Sequence, residues 1–289
     1  MNVIQVTEEN LEDFRDIIPE DIAENLSRQP YHCIALEDDN DDRSAALVWE
    51  FKHLNDVTRP TISRLSWVYA GNPDAGNDAF SEYGSIMGEV EARKSVVLMP
   101  EEDGAGVTDI LAGAGFDLKK LEGEDLIVTV GMLSELDILK KGKIPDYLGS
   151  VETLTSRPFR RGLMNCIFHT KRDKLEDLSC LPLEWFEPEV SCYVQTDEKI
   201  TGMLLVHRCI SGRLRVEFMS AIGPDGRKDL LHMMKYSILQ AVSAYPADTE
   251  VIIPRRDAAS RKLAGYFFPD RKGETCLFGE RTESEQVLL

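Results

Sequence analysis

The chain has 289 residues, 43% of them apolar, and a formal net charge of −18. That length suits two domains of ordinary size, and with no run of 18 apolar residues no membrane association is expected. The acidity lies in the first half: residues 1–150 carry 13 Lys/Arg against 31 Asp/Glu, while residues 151–289 carry 20 of each. A duplex nucleic-acid interface needs a basic face, so no nucleic-acid partner is expected, and an anionic ligand is repelled by the first half.

In chain order, "MNVIQVT" alternates as a short strand, and "EENLEDFRDII" places Leu11, Phe14 and Ile18 at helical spacing. "EDIAENLSR" reads as a second short helix. "YHCIALEDD", "RSAALVWEFKH" and "TISRLSWVYAG" read as three strands, followed by a turn-rich loop "AGNPDAGND". A helix in "DAFSEYGSIMGEVEAR", a strand in "KSVVLMPEE", a short helix in "GVTDILAGAGF" and a strand in "LIVTVGML" complete the first half. In the second half "LEDLSCLPLEWFEPE" is helical or irregular. "VSCYVQTD" and "KITGMLLVHRC" form a hairpin around "DEK", and "GRLRVEFMSAIG" is the next strand. "GRKDLLHMMKYSILQAVSAYP" is a strong helix with Leu231, Met234, Ile238 and Val242 at three and four and Pro246 beyond its end. A strand "TEVIIPRRD", a helix "AASRKLAGYFF" and a strand "TCLFGE" follow.

The two halves therefore repeat one order, and "RLSWVYAG" faces "RVEFMSAIG". The expected organisation is two α/β domains, residues 1–142 and 143–289. The punctuation by Gly142, Pro145 and Gly149 marks the linker. The six cysteines are scattered without a C-x-x-C pair, and the five histidines lack ligand spacing. Buried, reduced thiols and no metal are expected. "MNVIQVTEEN" lacks a basic region followed by an apolar run, so the expected location is the cytoplasm.

This order, with "LAGAGF" (111–116) and "DEKITGMLLV" in the hairpin, resembles the GNAT superfamily of acetyl-CoA-dependent N-acyltransferases in tandem. The resemblance implies a mixed twisted sheet flanked by helices in each half. It also implies acetyl-CoA or another acyl-CoA as co-substrate and a small-molecule or peptide amine as acceptor. In that family a loop Gln/Arg-x-x-Gly-x-Gly/Ala opens the long helix, and its backbone N–H groups hold the coenzyme A pyrophosphate. On "IGPDGRKDLLHMM" Gly226 takes the first glycine position, Gly223 stands where Gln or Arg is usual, and Lys228 where a small residue is usual. The implied cofactor site is Ser220, Ala221, Ile222, Gly223, Gly226, Arg227 and Lys228. The alternative is a Pro-Asp-Gly turn with Asp225 as a helix cap. In the first half Gly76 is surrounded by Asp74, Asp78 and Glu82, so that half is expected to be vestigial.

Acyl transfer to an amine needs a base, and Glu217 is a carboxylate inside an otherwise apolar strand. The alternative is an ion pair with Arg215 or Arg213 on an exposed face. The family acid is a tyrosine four residues before a Gly-Phe. That position is Leu111 in the first half and Leu263 in the second, with Tyr266 one helical turn away as a substitute if the helix ends differently, or as half-buried packing. "RRD" and "SRK" make the late helix basic, as a solvated face or as a partner of the coenzyme's 3′-phosphate. A catalytically inactive binding module of the same fold is the competing expectation.

Overall fold

The computed structural model describes residues 2–26, 31–37, 43–52, 61–104, 106–140, 142–169 and 181–283. Two compact units are present: Met1–Glu122 with Glu274–Leu289, and Gly123–Gly273.

The first unit opens with β1 (Asn2–Gln5), a 3-10 turn (Leu11–Phe14) and α1 (Glu20–Leu26). An antiparallel meander follows: β2 (Tyr31–Glu37), β3 (Arg43–Phe51) and β4 (Thr61–Ala70). Next come α2 (Pro73–Glu89), β5 (Ala92–Pro100), α3 (Glu101–Gly104), α4 (Thr108–Gly113) and β6 (Asp117–Thr129). The second unit continues with α5 (Val130–Ser134), β7 (Leu148–Ser150), α6 (Ser156–His169), β8 (Cys192–Thr196), β9 (Lys199–Arg208) and β10 (Leu214–Ala221). It ends with α7 (Gly226–Ala244), β11 (Glu250–Pro254) and α8 (Ala258–Phe267), after which β12 (Glu274–Thr282) belongs to the first unit.

In each unit an antiparallel meander leads into a parallel strand pair, β4 with β5 and β10 with β11. A long helix lies between the two strands of each pair. The boundary expected at 142/143 does not match this division. β12 pairs with β5 over seven residues, Cys276–Thr282 against Pro100–Lys94, while residues 125–129 of β6 pair with β11. Each last strand thus completes the sheet of the other repeat, because strand partners are chosen by register and side-chain fit and not by nearness in sequence.

Other departures are local. "EENLEDFRDII" shortens to the 3-10 turn. The loop read in "AGNPDAGND" is the start of α2: Asn72 accepts a hydrogen bond from the Ala75 N–H at 2.9 Å, and Pro73 occupies the first turn. α6 was not anticipated, although Phe159, Leu163, Cys166 and Ile167 share its buried face. Pro158 and Gly162 hide the pattern, and Gly162 is small for contact, since a Cβ there would stand 2.7 Å from the Ile200 side chain. Part of "LEDLSCLPLEWFEPE" lies outside the described residues. The "DEK" hairpin connects through Asp197 and Glu198, both left-handed (φ 48° and 63°), as a two-residue turn matched to the twist of its strands.

The sheet of the second unit separates two apolar clusters. Leu204, Val206, Leu214 and Val251 pack with α5, α7 and α8. Met203, Leu205 and Phe218 pack with Phe159 and Leu163 of α6 on the other face. Burial pushes the Cys33 and Cys166 thiols up to about 12 and raises the Cys192 thiol as well. Cys276 is also buried, whereas Cys209 is half-buried. Because the thiolate is the reactive form, iodoacetamide at pH 8 is expected to alkylate Cys209 first among these five. Cys33, Cys166 and Cys192 are expected to react only after unfolding, as read by peptide mass mapping. Early labelling of Cys192 would contradict the packing.

Candidate functional site

The site is built where β10 and β11 part. They are paired in parallel only at Leu214–Val251 and Arg215–Ile252. Beyond that point β10 follows β9 and β11 follows β6, which leaves a V-shaped opening. A β-bulge sits at its edge: Val216 pairs with Val206 and Phe218 with Leu205, so the register passes over Glu217. Bulges re-aim side chains in this way. Phe218 packs into the α6 cluster while Glu217 turns into the gap.

A cavity of about 160 Å³ lies in the opening, beneath α7 and α8. Glu217, Met219, Met234 and Pro254 line it towards the ends of the strands, together with Ser260 of α8. α8 starts in a capping box in which Asp257 accepts from the Ser260 N–H at 2.7 Å and the Ser260 hydroxyl accepts from the Asp257 N–H at 3.0 Å.

Glu217 is buried, its side chain 1% exposed, and one of its oxygens is 3.8 Å from Arg215 Nε. Arg215 donates two hydrogen bonds to Asp125 of β6, at 2.8 and 3.0 Å. Burial works to lower the Arg215 pKa, but Asp125 and Glu217 outweigh it, and the guanidinium stays charged. The ion pair weighed from the sequence therefore exists with Arg215, on a buried face rather than an exposed one. Arg213 pairs instead with Glu250 at 2.7 Å. Glu217 lines the cavity and also meets Arg215, so it stands at the junction of the two faces of the sheet.

The loop before α7 is tightly wound. Gly223 is left-handed (φ 96°), which suits glycine. The Gly226 N–H donates to the Gly223 carbonyl at 3.2 Å, and the Lys228 and Asp229 N–H groups donate to the Asp225 carbonyl at 2.8 and 3.0 Å. Gly226 is buried, and a Cβ on it would lie 2.9 Å from the Ala221 carbonyl oxygen, so close backbone approach explains this glycine. The Asp225 side chain makes no capping bond, so the cap expected there is not formed. Arg227 and Lys228 are exposed at the first turn, while Asp229 is buried and accepts a hydrogen bond from the Tyr147 hydroxyl at 3.0 Å. Ser220 is buried, and Ala221 and Ile222 are half-buried on the strand end that leads into this loop.

Leu263 lines the cavity, at the place read for the family tyrosine. Tyr266 does not serve there. It is 78% exposed, packs edge-on against Phe267, and is not among the cavity's lining residues, because α8 continues to Phe267 and turns it outward. Three arginines before and within α8 have protein partners. Arg255 Nε donates to the Gly123 carbonyl, Arg256 Nε to Glu124, and Arg261 to the Arg255 carbonyl. Arg215 and Asp125 were missed as a pair, since 90 residues separate them and nothing local in either segment announces the contact.

The first unit has the same strand geometry. Val48 pairs with Trp67 and Trp49 with Leu65, so its bulge falls on Ser66, which carries no ionisable group. On the buried face of α2, Tyr83 is fully buried, with its hydroxyl 2.7 Å from Ser63 Oγ and 2.8 Å from Ser95 Oγ. Those two serines are register partners on β4 and β5, so the Tyr83 side chain reaches the paired stretch of the two strands. Arg281 of β12 lies over the rings of Tyr83 and Phe116, each at 5.2 Å from the ring centre.

Solved structures share this architecture. A tandem GNAT protein from the clavulanic acid biosynthesis pathway aligns over 98% of both chains, with a TM-score of 0.56 and 11% identity. A GCN5-related N-acetyltransferase from Sphaerobacter thermophilus aligns over 100% of this chain and 97% of its own, with a TM-score of 0.54 and 11% identity. A GCN5-related glucosamine N-acetyltransferase region of a fungal multi-domain GH3 beta-N-acetylglucosaminidase aligns over 97% of this chain and 38% of its own, with a TM-score of 0.59 and 10% identity. No model of a protein family matches the chain, and no curated protein is similar to it in sequence. The fold is the GNAT fold, carried twice in one chain. Among the described residues no helix is long and apolar enough to cross a membrane, and no group of three or more His, Cys, Asp or Glu is placed to hold a metal ion.

Proposed function

We propose that the second unit binds an acyl-CoA and transfers its acyl group to an amine. The observation that carries this reading is the parting of β10 and β11 at the Glu217 bulge, with an apolar cavity in the opening. A thioester placed there has a carboxylate beside it and little water around it. Glu217 takes a proton from the acceptor ammonium, directly or through one water, and the neutral amine attacks the thioester carbonyl. The new C–N bond forms and the C–S bond breaks; the nitrogen gives its second proton to solvent, the thiolate takes one from solvent because Leu263 has none to give, and Glu217 releases its proton to solvent before the next turnover. Arg227 and Lys228 supply positive charge for the pyrophosphate at the helix end, where the α7 dipole adds to it.

The test is calorimetric titration with acetyl-CoA. Lys228→Glu is expected to weaken binding about tenfold, equivalent to about 1.4 kcal/mol. Asp78→Lys, on an exposed turn of α2, is expected to change nothing. Equal effects from the two variants, or no binding by the native protein, would overturn the reading. Gly226→Asp is a poor substitute for this test, since its side chain collides with the Ala221 backbone whether or not a phosphate binds.

A catalytically inactive binding module is the second reading. Leu263 in the acid position and Tyr266 outside the cavity favour it. It predicts acyl-CoA binding without thiol release against any amine, which a thiol-trapping assay reads directly.

A further inference from the structure

The cavity does not end where the two strands meet. Leu214 and Val251, a register pair at the closed end of the V, both line it. So do Ile238 and Ala241 from the later turns of α7, and Leu133 and Leu136 from α5 and the turn after it. α5 follows Thr129, which pairs with Glu250 at the beginning of β11, so these leucines lie beyond the vertex. The mouth carries the polar groups Glu217, Arg256, Asp257 and Ser260, whereas the six residues just named at the deep end are all apolar.

From this polarity gradient we infer that the second unit prefers an acyl-CoA with a medium-length hydrocarbon chain, about six carbons, over acetyl-CoA. The inference rests on the acyl-CoA reading above and specifies the acyl group. A cavity of about 150 Å³ lined by aliphatic side chains stays dry and takes a molecule of benzene's size, and this one measures about 160 Å³. An acetyl group would leave its deep end empty. The side chains lining the deep end are aliphatic apart from Ser237, which adjoins Ile238 on α7, and Met219 and Met234 near the mouth adapt their shape to a chain passing between them. Leu263 extends the apolar lining at the position where the family resemblance implies a tyrosine. In the first unit Tyr83 of α2 packs its ring over the paired stretch of β4 and β5, with its hydroxyl on Ser63 and Ser95.

The experiment is titration of the full chain with CoA, acetyl-CoA, hexanoyl-CoA and octanoyl-CoA. Each methylene buried is worth about fourfold in affinity, so hexanoyl-CoA is expected to bind on the order of 100-fold tighter than acetyl-CoA. Ala241→Phe fills the deep end and is expected to bring hexanoyl-CoA down to the acetyl-CoA affinity while leaving CoA itself unchanged. Leu133→Ala lengthens the cavity and is expected to move the optimum from hexanoyl to octanoyl. Retained affinity for CoA shows in each variant that the site is folded. Binding of CoA with acetyl and hexanoyl equal would overturn this inference and leave the acyl-CoA reading standing. Failure to bind CoA in any form would overturn both.

Discussion

Glu217→Gln is expected to slow acyl transfer by about 100- to 10,000-fold, the usual worth of a positioned general base, with acyl-CoA affinity unchanged. Glutamine keeps the size of the side chain and its hydrogen-bonding reach at the β10 bulge, but it cannot accept the ammonium proton. The measurement is thiol release in the presence of an amine acceptor across pH, alongside titration of acyl-CoA. For the native protein the rate should rise with pH as the acceptor amine loses its proton. Rates equal in the two proteins would remove Glu217 from the chemistry and leave it as a partner of Arg215. Loss of acyl-CoA affinity along with rate would instead make it a structural residue of the cavity wall.

Arg215→Ala carries the largest expected effect on stability. Arg215 and Glu217 have side chains 3% and 1% exposed, and Asp125 is 9% exposed, so three charges share one buried space with a net charge of −1. Removing the guanidinium takes away the buried cation that both carboxylates meet. Breaking a buried pair from one side costs about 3–5 kcal/mol, which at about 2–4 °C per kcal/mol lowers the Tm by roughly 6–20 °C. Calorimetry at pH 7 is the check. Replacing all three by apolar residues of similar size should recover most of the stability, since no charge is then buried. A drop of under about 1 kcal/mol for Arg215→Ala would show that water or a neighbouring cation replaces the guanidinium.

The two expectations meet at one residue. Arg215 keeps Glu217 in place from the α6 side of the sheet, while the cavity approaches it from the α7 side. A carboxylate held in this way has one oxygen turned towards the cation, and the group as a whole sits at the edge of the opening. Stability and chemistry are therefore separable: Gln at position 217 should disturb transfer far more than folding, and Ala at position 215 should disturb both.

Much of the architecture is written locally in the chain. The alternation in "RSAALVWEFKH" and "KITGMLLVHRC", the three-and-four spacing from Leu231 to Val242, and the repeated order of elements depend on which side chains are apolar and how far apart they lie. Period and order survive in one dimension, so the duplicated α/β fold is legible without coordinates. Glu217 is legible for the same reason, as a charge in an apolar strand, and so is Leu263 at the place of the family tyrosine. Tertiary structure alone decided which last strand pairs with which sheet, because β6 and β12 are both apolar enough to serve and register chooses between them. It also decided that Gly226 answers to the Ala221 carbonyl, that Tyr266 faces solvent, and that Asp125 reaches Arg215 across 90 residues. The cavity beyond the Leu214–Val251 pair belongs to this second class. An empty volume is set by the shapes of several elements packed together, and no single segment of sequence contains it.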